Sequence, residues 1–285
     1  MSEDRETDYL VSEFTPGHQR AKVKNCSMQA WPEGCYNARD LGGLVTRDGR
    51  RIRPGALLRS DAVDHLTARG WRQLADHGVK TIIDLRNEDE IGSGSRLGLR
   101  TVHLPHDSWE SQDFWKEWAG GPQFGTPLYY GPHLNRFPER TARVLQAIAE
   151  AEPGGVLIHC QVGRDRTGMV IALLLHLLGL SLSAIVDDYL LSQQRLRVYY
   201  ANRQEPDPTP HAEDHVRRLE LGFEQCLGNF LALDVRTCLR RGGLSESTES
   251  RLKKRLLAPP ETSQKAPRAS NAKQRGWPLP SVPPC

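Results

Sequence analysis

The chain has 285 residues, 26% of them charged and 38% apolar, with a formal net charge of +3. These proportions are ordinary for a folded domain in water and exclude a low-complexity or collagen-like chain. Six cysteines with no CxxC pair exclude a disulfide scaffold, and no apolar run approaches the length of a membrane span.

The charge is unevenly placed. From Arg251 to Cys285 there are eight Lys or Arg against one acid, Glu261, so the body of the chain is slightly acidic. A nucleic-acid-binding domain carries its basic face on the folded body, so no nucleic-acid partner is expected.

Residues 1–25 are acidic and polar and do not form a signal peptide. They read as a loosely ordered extension of a cytoplasmic protein, exported only by a route that needs no signal. In "VTRDGRRI", Asp48-Gly49 between short alternating runs predicts a hairpin. "HLTARGWRQLADHGV" has helical spacing and ends on Gly78. "VKTIIDLR" and "RTVHLP" read as strands. Residues 106–136 are rich in aromatics, glycine and proline without a clean period, and are expected to form a long excursion over the surface. "PERTARVLQAIAEAEPGG" predicts a helix closed by Pro153 and Gly154, and "GVLIHC" a buried strand. Alternating helices and strands imply an α/β fold, a mostly parallel sheet with helices on its faces. After Gly179 the pattern is helical except for the proline-rich break in "NRQEPDPTPHAED". Ser245 is placed to cap a last helix, and residues 258–285 read as a disordered basic tail. The folded body then spans 26–257.

The stretch that carries chemistry is "VLIHCQVGRDRTG", residues 156–168. A strand that turns into a helix leaves unpaired N–H groups at the helix start, and these attract an anion. Gly163 lets the loop curl so that the amides of Gln161, Val162, Gly163 and Arg164 point inward. Arg166 would grip two phosphate oxygens in a fork. Cys160 lies at the bottom of the cup, where the field favours a thiolate nucleophile aimed at phosphorus. Thr167 is expected to donate a hydrogen bond to it. Five residues separate Cys160 from Arg166, the C-x5-R spacing of cysteine-dependent phosphatases. A structural loop has no need of a cation, a thiol and a glycine gathered in this way.

"HCQVGRDRTG" resembles the HC-x-x-G-K-D-R-T-G loop of bacterial and fungal tyrosine-phosphatase-like enzymes. "NARDLGGLVTRDGRRIRPGALLRSDAVDHLT" is similar to the N-terminal half of that family, and "LSLSAIVDDYLLS" with "GGLSESTESRLKKRLL" to its last helices. The resemblance covers roughly residues 30–257. It implies a phosphatase fold and hydrolysis of phosphate monoesters through a cysteinyl-phosphate, with Cys160 as nucleophile and Arg166 on the phosphate. It makes Asp165 the general acid and 181–230 a helical lid. It implies no cofactor or metal, and a phosphotyrosine protein as substrate, with dual-specificity or phosphoinositide activity also within the family's range. Arg164 stands where the family often has lysine, a residue linked in related enzymes to inositol-phosphate recognition. Arginine keeps the charge but is planar and bulkier.

Other residues offer alternatives to these. Asp107 and Asp113 are alternative acids on the aromatic excursion. Asp40, Arg39 and Asp61 either close turns or support the loop. His211 and His215, four apart, have the spacing of a metal pair but read better as an exposed helix start. "WPEG" at Trp31 resembles a general-acid loop by coincidence, since it carries Glu33. Cys26 and Cys35 read as plain thiols, and the basic tail as a weak contact for anionic lipid. Two rival classes remain: a rhodanese-type sulfurtransferase, whose loop is usually shorter, and a non-catalytic phosphate-binding module, which would not need the thiol.

Overall fold

The structure is a computed structural model and describes residues 31–259, apart from 93–97, 108, 120 and 122. The N-terminal extension, Cys26 and nearly all of the basic tail lie outside the described residues. Five strands form one sheet in the order β1-β2-β5-β3-β4: Arg39–Asp40, Leu57–Ser60, Gly155–His159, Val79–Asp84 and Arg100–His103. Only β1, at the edge, runs antiparallel to its neighbour. The mostly parallel sheet follows the predicted alternation of strands and helices.

Alternate residues of each strand face opposite sides. Leu58, Leu157 and Ile82 pack with Trp71 and Leu74 of α1 (Ala68–Asp76) on one face. Leu57, Val156, Ile158 and Ile83 join the larger core on the other face, with α4 (Pro138–Glu150), α5 (Asp165–Leu178) and α10 (Glu246–Leu256). The predicted Ser245 cap is present, and Thr67 supplies one that was not predicted. Thr67 accepts from Gly70 N at 3.1 Å to start α1, and Ser245 from Thr248 N at 3.1 Å to start α10. The Asp48-Gly49 hairpin is minimal, one bridge from Val45 to Arg51 around a turn with Gly49 at φ +84°.

The segment 106–136 differs from its expectation. It forms α2 (Gln112–Trp118) and α3 (Tyr130–Arg136), and buries Phe114, Trp115, Tyr129, Tyr130 and Leu134 in the larger core. Helices of seven residues are too short to show a two-turn period, and their aromatic rings are drawn inward by the area they bury. After Gly179 come α6 (Leu182–Arg203), α7 (Thr209–Arg218), α8 (Phe223–Leu231) and α9 (Val235–Arg241). Among the described residues no helix is long and apolar enough to cross a membrane.

The sheet's role is to bring the C-terminal ends of three parallel strands together. Ser60 of β2 and Asp84 of β3 flank His159 of β5 in register. Ile158→Ala, at a fully buried position of the central strand, is expected to lower the unfolding free energy by about 2–5 kcal/mol in urea melts with an unchanged m-value.

Candidate active site

The chain leaves β5 at His159 and enters α5 at Asp165. Between them, the loop carbonyls are tied outward. Gln161 O accepts from Ala62 N at 2.9 Å, Val162 O from Asn37 Nδ2 at 2.9 Å, and Gly163 O from an Arg59 guanidinium nitrogen at 2.6 Å. In a trans peptide the N–H points opposite to the C=O of the same plane. Anchoring these carbonyls therefore turns the amides of Val162, Gly163 and Arg164 to the other side, into the cup. Among the described residues no acceptor takes the amide hydrogens of Gln161, Val162, Gly163 or Arg164. Gly163 has φ +71°, and a Cβ there would lie 2.2 Å from Ser60 O, so only glycine fits.

The anchors belong to a buried ionic network. Arg59 and Arg39 both pair with Asp188 of α6, Arg39 at 2.7 Å. Arg39 also donates to Ser192 Oγ at 2.7 Å and to Asn37 Oδ1 at 2.6 Å, which aims the Asn37 amide at the loop. Burial and then Arg59 lower Arg39 to about 9, although Asp188 pulls it up. Asp61 accepts the backbone N–H of Asn37 at 2.9 Å, and burial raises its carboxyl. Arg39 and Asp61 thus support the loop. Asp40 does not: it closes the turn at Gly42 N and Gly55 N, at 2.8 and 2.7 Å.

The cleft over the loop has a volume of about 510 Å³, and Cys160, Gln161, Val162, Arg164, Asp165 and Arg166 all line it. Arg166 is held by Glu90 through a bidentate pair, with one bond at 2.6 Å, and its Nε lies 3.4 Å from Asp107. Burial opposes the Arg166 charge, but Glu90, Cys160 and Asp107 together raise its hold on the proton. Glu90 is fixed in turn by Asn87 N at 2.9 Å. That "NEDE" box is a recognisable capping signal that sequence reading passed over.

Arg164 turns inward. Its Nε donates to Asp165 Oδ1 at 3.2 Å, and a terminal nitrogen reaches Thr209 Oγ1 at 3.2 Å. Gly125, at φ +77°, passes so close that a Cβ would lie 2.8 Å from this guanidinium. Thr167 is fully buried within the first turn of α5, and its hydroxyl has no hydrogen-bond partner, so the expected bond to the Cys160 thiol is not made.

Several other candidates fall elsewhere. Asp113 pairs with Arg136 at 3.1 Å and is not among the residues lining the cleft. Glu33 is spent on α1, accepting from Thr67 Oγ1 at 2.9 Å. His211 and His215 lie on the polar helix α7. Cys35 is buried against Ala62 O. A cluster with metal-ligand chemistry does occur at His106, Asp107 and His133, with ligand atoms within 4.8 Å of one another. Its imidazoles stack at an interplanar angle of 19°, and His106 Nε2 is 2.9 Å from Thr141 Oγ1. A tetrahedral zinc site gathers its ligand atoms at about 3.3 Å, so these side chains would have to move.

A cysteine at the floor of an amide cup, with an arginine gripped for phosphate on its rim, defines a cysteine-dependent phosphatase. The chain belongs to the tyrosine phosphatase family, whose model matches residues 32–258. It is 28% identical over 274 residues to the triple specificity protein phosphatase PtpB of Mycobacterium tuberculosis, covering 79% of this chain and 97% of that one. A putative tyrosine-protein phosphatase of Cupriavidus necator is 30% identical over 166 residues, covering 56% of this chain and 61% of the relative. A tyrosine-protein phosphatase of Nostoc commune is 30% identical over 172 residues, covering 59% and 56%. The solved structure of P. aeruginosa TpbA in complex with phosphotyrosine aligns at a TM-score of 0.37 and 16% identity, over 69% of this chain and 91% of that one. That likeness is too loose to argue from.

Asp107 is the perturbed carboxyl of the cleft. Burial pushes it up to about 6, against Arg166 and with a further push from Glu90 and Asp165. With 3.8 as the unfolded value, the folded chain holds more protons between the two values, so stability falls as pH rises through that window. The charge then costs about 3 kcal/mol at pH 7. Asp107→Asn is expected to stabilise the fold by about 2–3 kcal/mol at pH 7 and to lose most of that gain at pH 4. Urea melts at the two pH values check this, and an equal difference at both would contradict it.

Proposed function

We propose that this protein hydrolyses phosphate monoesters, with phosphotyrosine in proteins as its main substrate, through a cysteinyl-phosphate intermediate. The observation that carries the reading is the loop whose carbonyls are drawn outward around Cys160. The cup binds the three non-bridging oxygens through amides and the Arg166 guanidinium. Sγ of Cys160 attacks phosphorus in line with the ester oxygen. The S–P bond forms as the P–O bond breaks, and the leaving oxygen takes a proton. Water then attacks phosphorus, the S–P bond breaks, and inorganic phosphate leaves with the thiolate restored. Arg166 and the amides meet the charge that gathers on the equatorial oxygens during both steps. Glu90 keeps Arg166 in place between them.

The cleft wall supports the choice of substrate. Trp109 and Phe124 are each 43% exposed, among the largest exposed apolar side chains described, and both line the cleft together with Tyr200 and Pro208. A phenyl ring on the bound phosphate finds aromatic surface there, which an alkyl phosphate uses less well. Asp89, Glu90, Asp107 and Asp165 also line the cleft. Glu90 and Asp165 are engaged by Arg166 and Arg164, but Asp89 adds a negative charge that opposes the additional phosphates of a polyphosphoinositide. Arg164 is already engaged by Asp165 and Thr209, so it offers such a lipid little in return. The M. tuberculosis relative is named for triple specificity; the aromatic rim and acidic wall narrow the range here.

Cys160→Ser is expected to lower hydrolysis of 4-nitrophenyl phosphate by about 10⁴-fold or more, while EDTA leaves the wild type unchanged. A serine variant that keeps its turnover would overturn the covalent route, and thiosulfate sulfurtransferase activity in its place would favour the rhodanese class. Trp109→Ala is expected to lower kcat/KM on a phosphotyrosine peptide by about 2–10-fold, with little change on a phosphoserine peptide. Equal losses on both peptides would count against aromatic selection.

A further inference from the structure

Glu90 is spent on gripping Arg166; of the other carboxyl groups lining the cleft, Asp107 and Asp165 have different surroundings. Asp165 spends both oxygens as acceptors from Arg164, at 3.2, 3.4 and 3.3 Å. Asp107 makes no hydrogen bond of that kind. It is 5% exposed and lines the cleft with Cys160 and Arg166, its nearest ionic contact being Arg166 Nε at 3.4 Å.

The backbone around Asp107 is fixed from several sides. Leu104 N donates to Asp84 O at 2.9 Å, and His106 N to Leu85 O at 3.1 Å. One guanidinium nitrogen of Arg140 donates to both Pro105 O and Asp107 O, at 3.0 Å each. This short segment is thereby clamped between the end of β3 and α4, with its carboxyl facing the phosphate cup.

We propose that Asp107 is the general acid of the reaction, and that Asp165 is instead the strut that holds Arg164 in the cleft wall. The inference rests on the phosphatase reading above and assigns its proton donor. In the first half-reaction the S–P bond forms, the P–O bond to the tyrosyl oxygen breaks, and the proton of the Asp107 carboxyl passes to that oxygen. Asp107 is left as a carboxylate. In the second half it takes a proton from the attacking water as the new O–P bond forms and the S–P bond breaks. The thiolate and the protonated acid are both restored.

The charges around Asp107 set its proton affinity. Arg166 and Asp165 face it from α5, Glu90 from the turn after β3, Arg140 from α4 and Tyr129 from the turn just before α3, with His106 and His133 packed beside it. Burial pushes His133 down to about 3 and His106 well below its ordinary value, so both are neutral neighbours. Arg166 is the main group that favours the carboxylate, and Glu90 opposes it. A phosphate dianion bound to Arg166 offsets that guanidinium and adds like charge, and both changes favour the protonated acid. Substrate binding therefore loads the proton that the leaving oxygen needs.

The test compares Asp107→Asn and Asp165→Asn on 4-nitrophenyl phosphate, whose leaving group departs readily, and phenyl phosphate, whose leaving group needs a proton. Orthovanadate binding and circular dichroism confirm that each variant keeps its fold and cup. For Asp107→Asn the expected loss in kcat is about 10²–10⁴-fold on phenyl phosphate and much smaller on 4-nitrophenyl phosphate, and the basic limb of the kcat–pH profile disappears. Asp165→Asn should lose similar amounts on both esters and keep that limb. Leaving-group sensitivity and a lost limb in Asp165→Asn alone, or in neither variant, would overturn the assignment. A Cys160→Ser protein that still turns over would instead remove the phosphatase reading on which it rests.

Discussion

The outward hydrogen bonds from the loop carbonyls are the constraint on which the site depends. A loop of consecutive amides facing one point is a repulsive arrangement of dipoles when empty. It persists because the opposite ends of the same peptide planes are held by Ala62 N, Asn37 and Arg59. The sheet places these holders: β2 lies beside β5, so Arg59 and Ala62 stand against the loop as soon as the strands pair. Gly163 is required at the closest approach.

Behind that layer lies Asp188, shared by two buried arginines. Removing one member of such a network leaves a buried charge without its counter-charge, which costs about 3–5 kcal/mol. α6 therefore does more than cover the sheet. It brings Asp188 and Ser192 to the arginines that shape the cup, while its far end contributes Tyr200 to the cleft wall. The arrangement couples a helix after the signature loop to a segment well before it. Arg39 and Asn37 lie near the start of the described chain, and the signature glycine lies more than a hundred residues later.

Much of this was legible beforehand. The apolar run ending at His159, the glycine and the C-x5-R spacing placed Cys160 and Arg166 at the mouth of a central strand because each residue type has a local physical reason to be there. Helix caps such as Ser245 were legible for the same reason. What the sequence hid is what depends on distant partners. The burial of Arg59 makes sense only beside Asp188, a partner more than a hundred residues away. Asn37 gives no local sign that it meets Val162. Thr167 was expected to reach the thiol and does not. The aromatics of 106–136 read as surface because their helices are too short for a period, yet they join the larger core. Between two carboxyl groups of the same type, only burial and the guanidinium partner distinguish a strut from a proton donor.

The account's central claim is that outward-tied carbonyls prepare inward amides for phosphate. It is tested most directly by following the backbone amide resonances of Val162, Gly163 and Arg164 during titration with inorganic phosphate. The account predicts that these three shift downfield together and become protected from exchange, with one binding constant, while the amides of α10 stay unchanged. Amides that remain unshifted as phosphate binds and displaces a competitive inhibitor would contradict it, because the anion would then be held by the arginines alone.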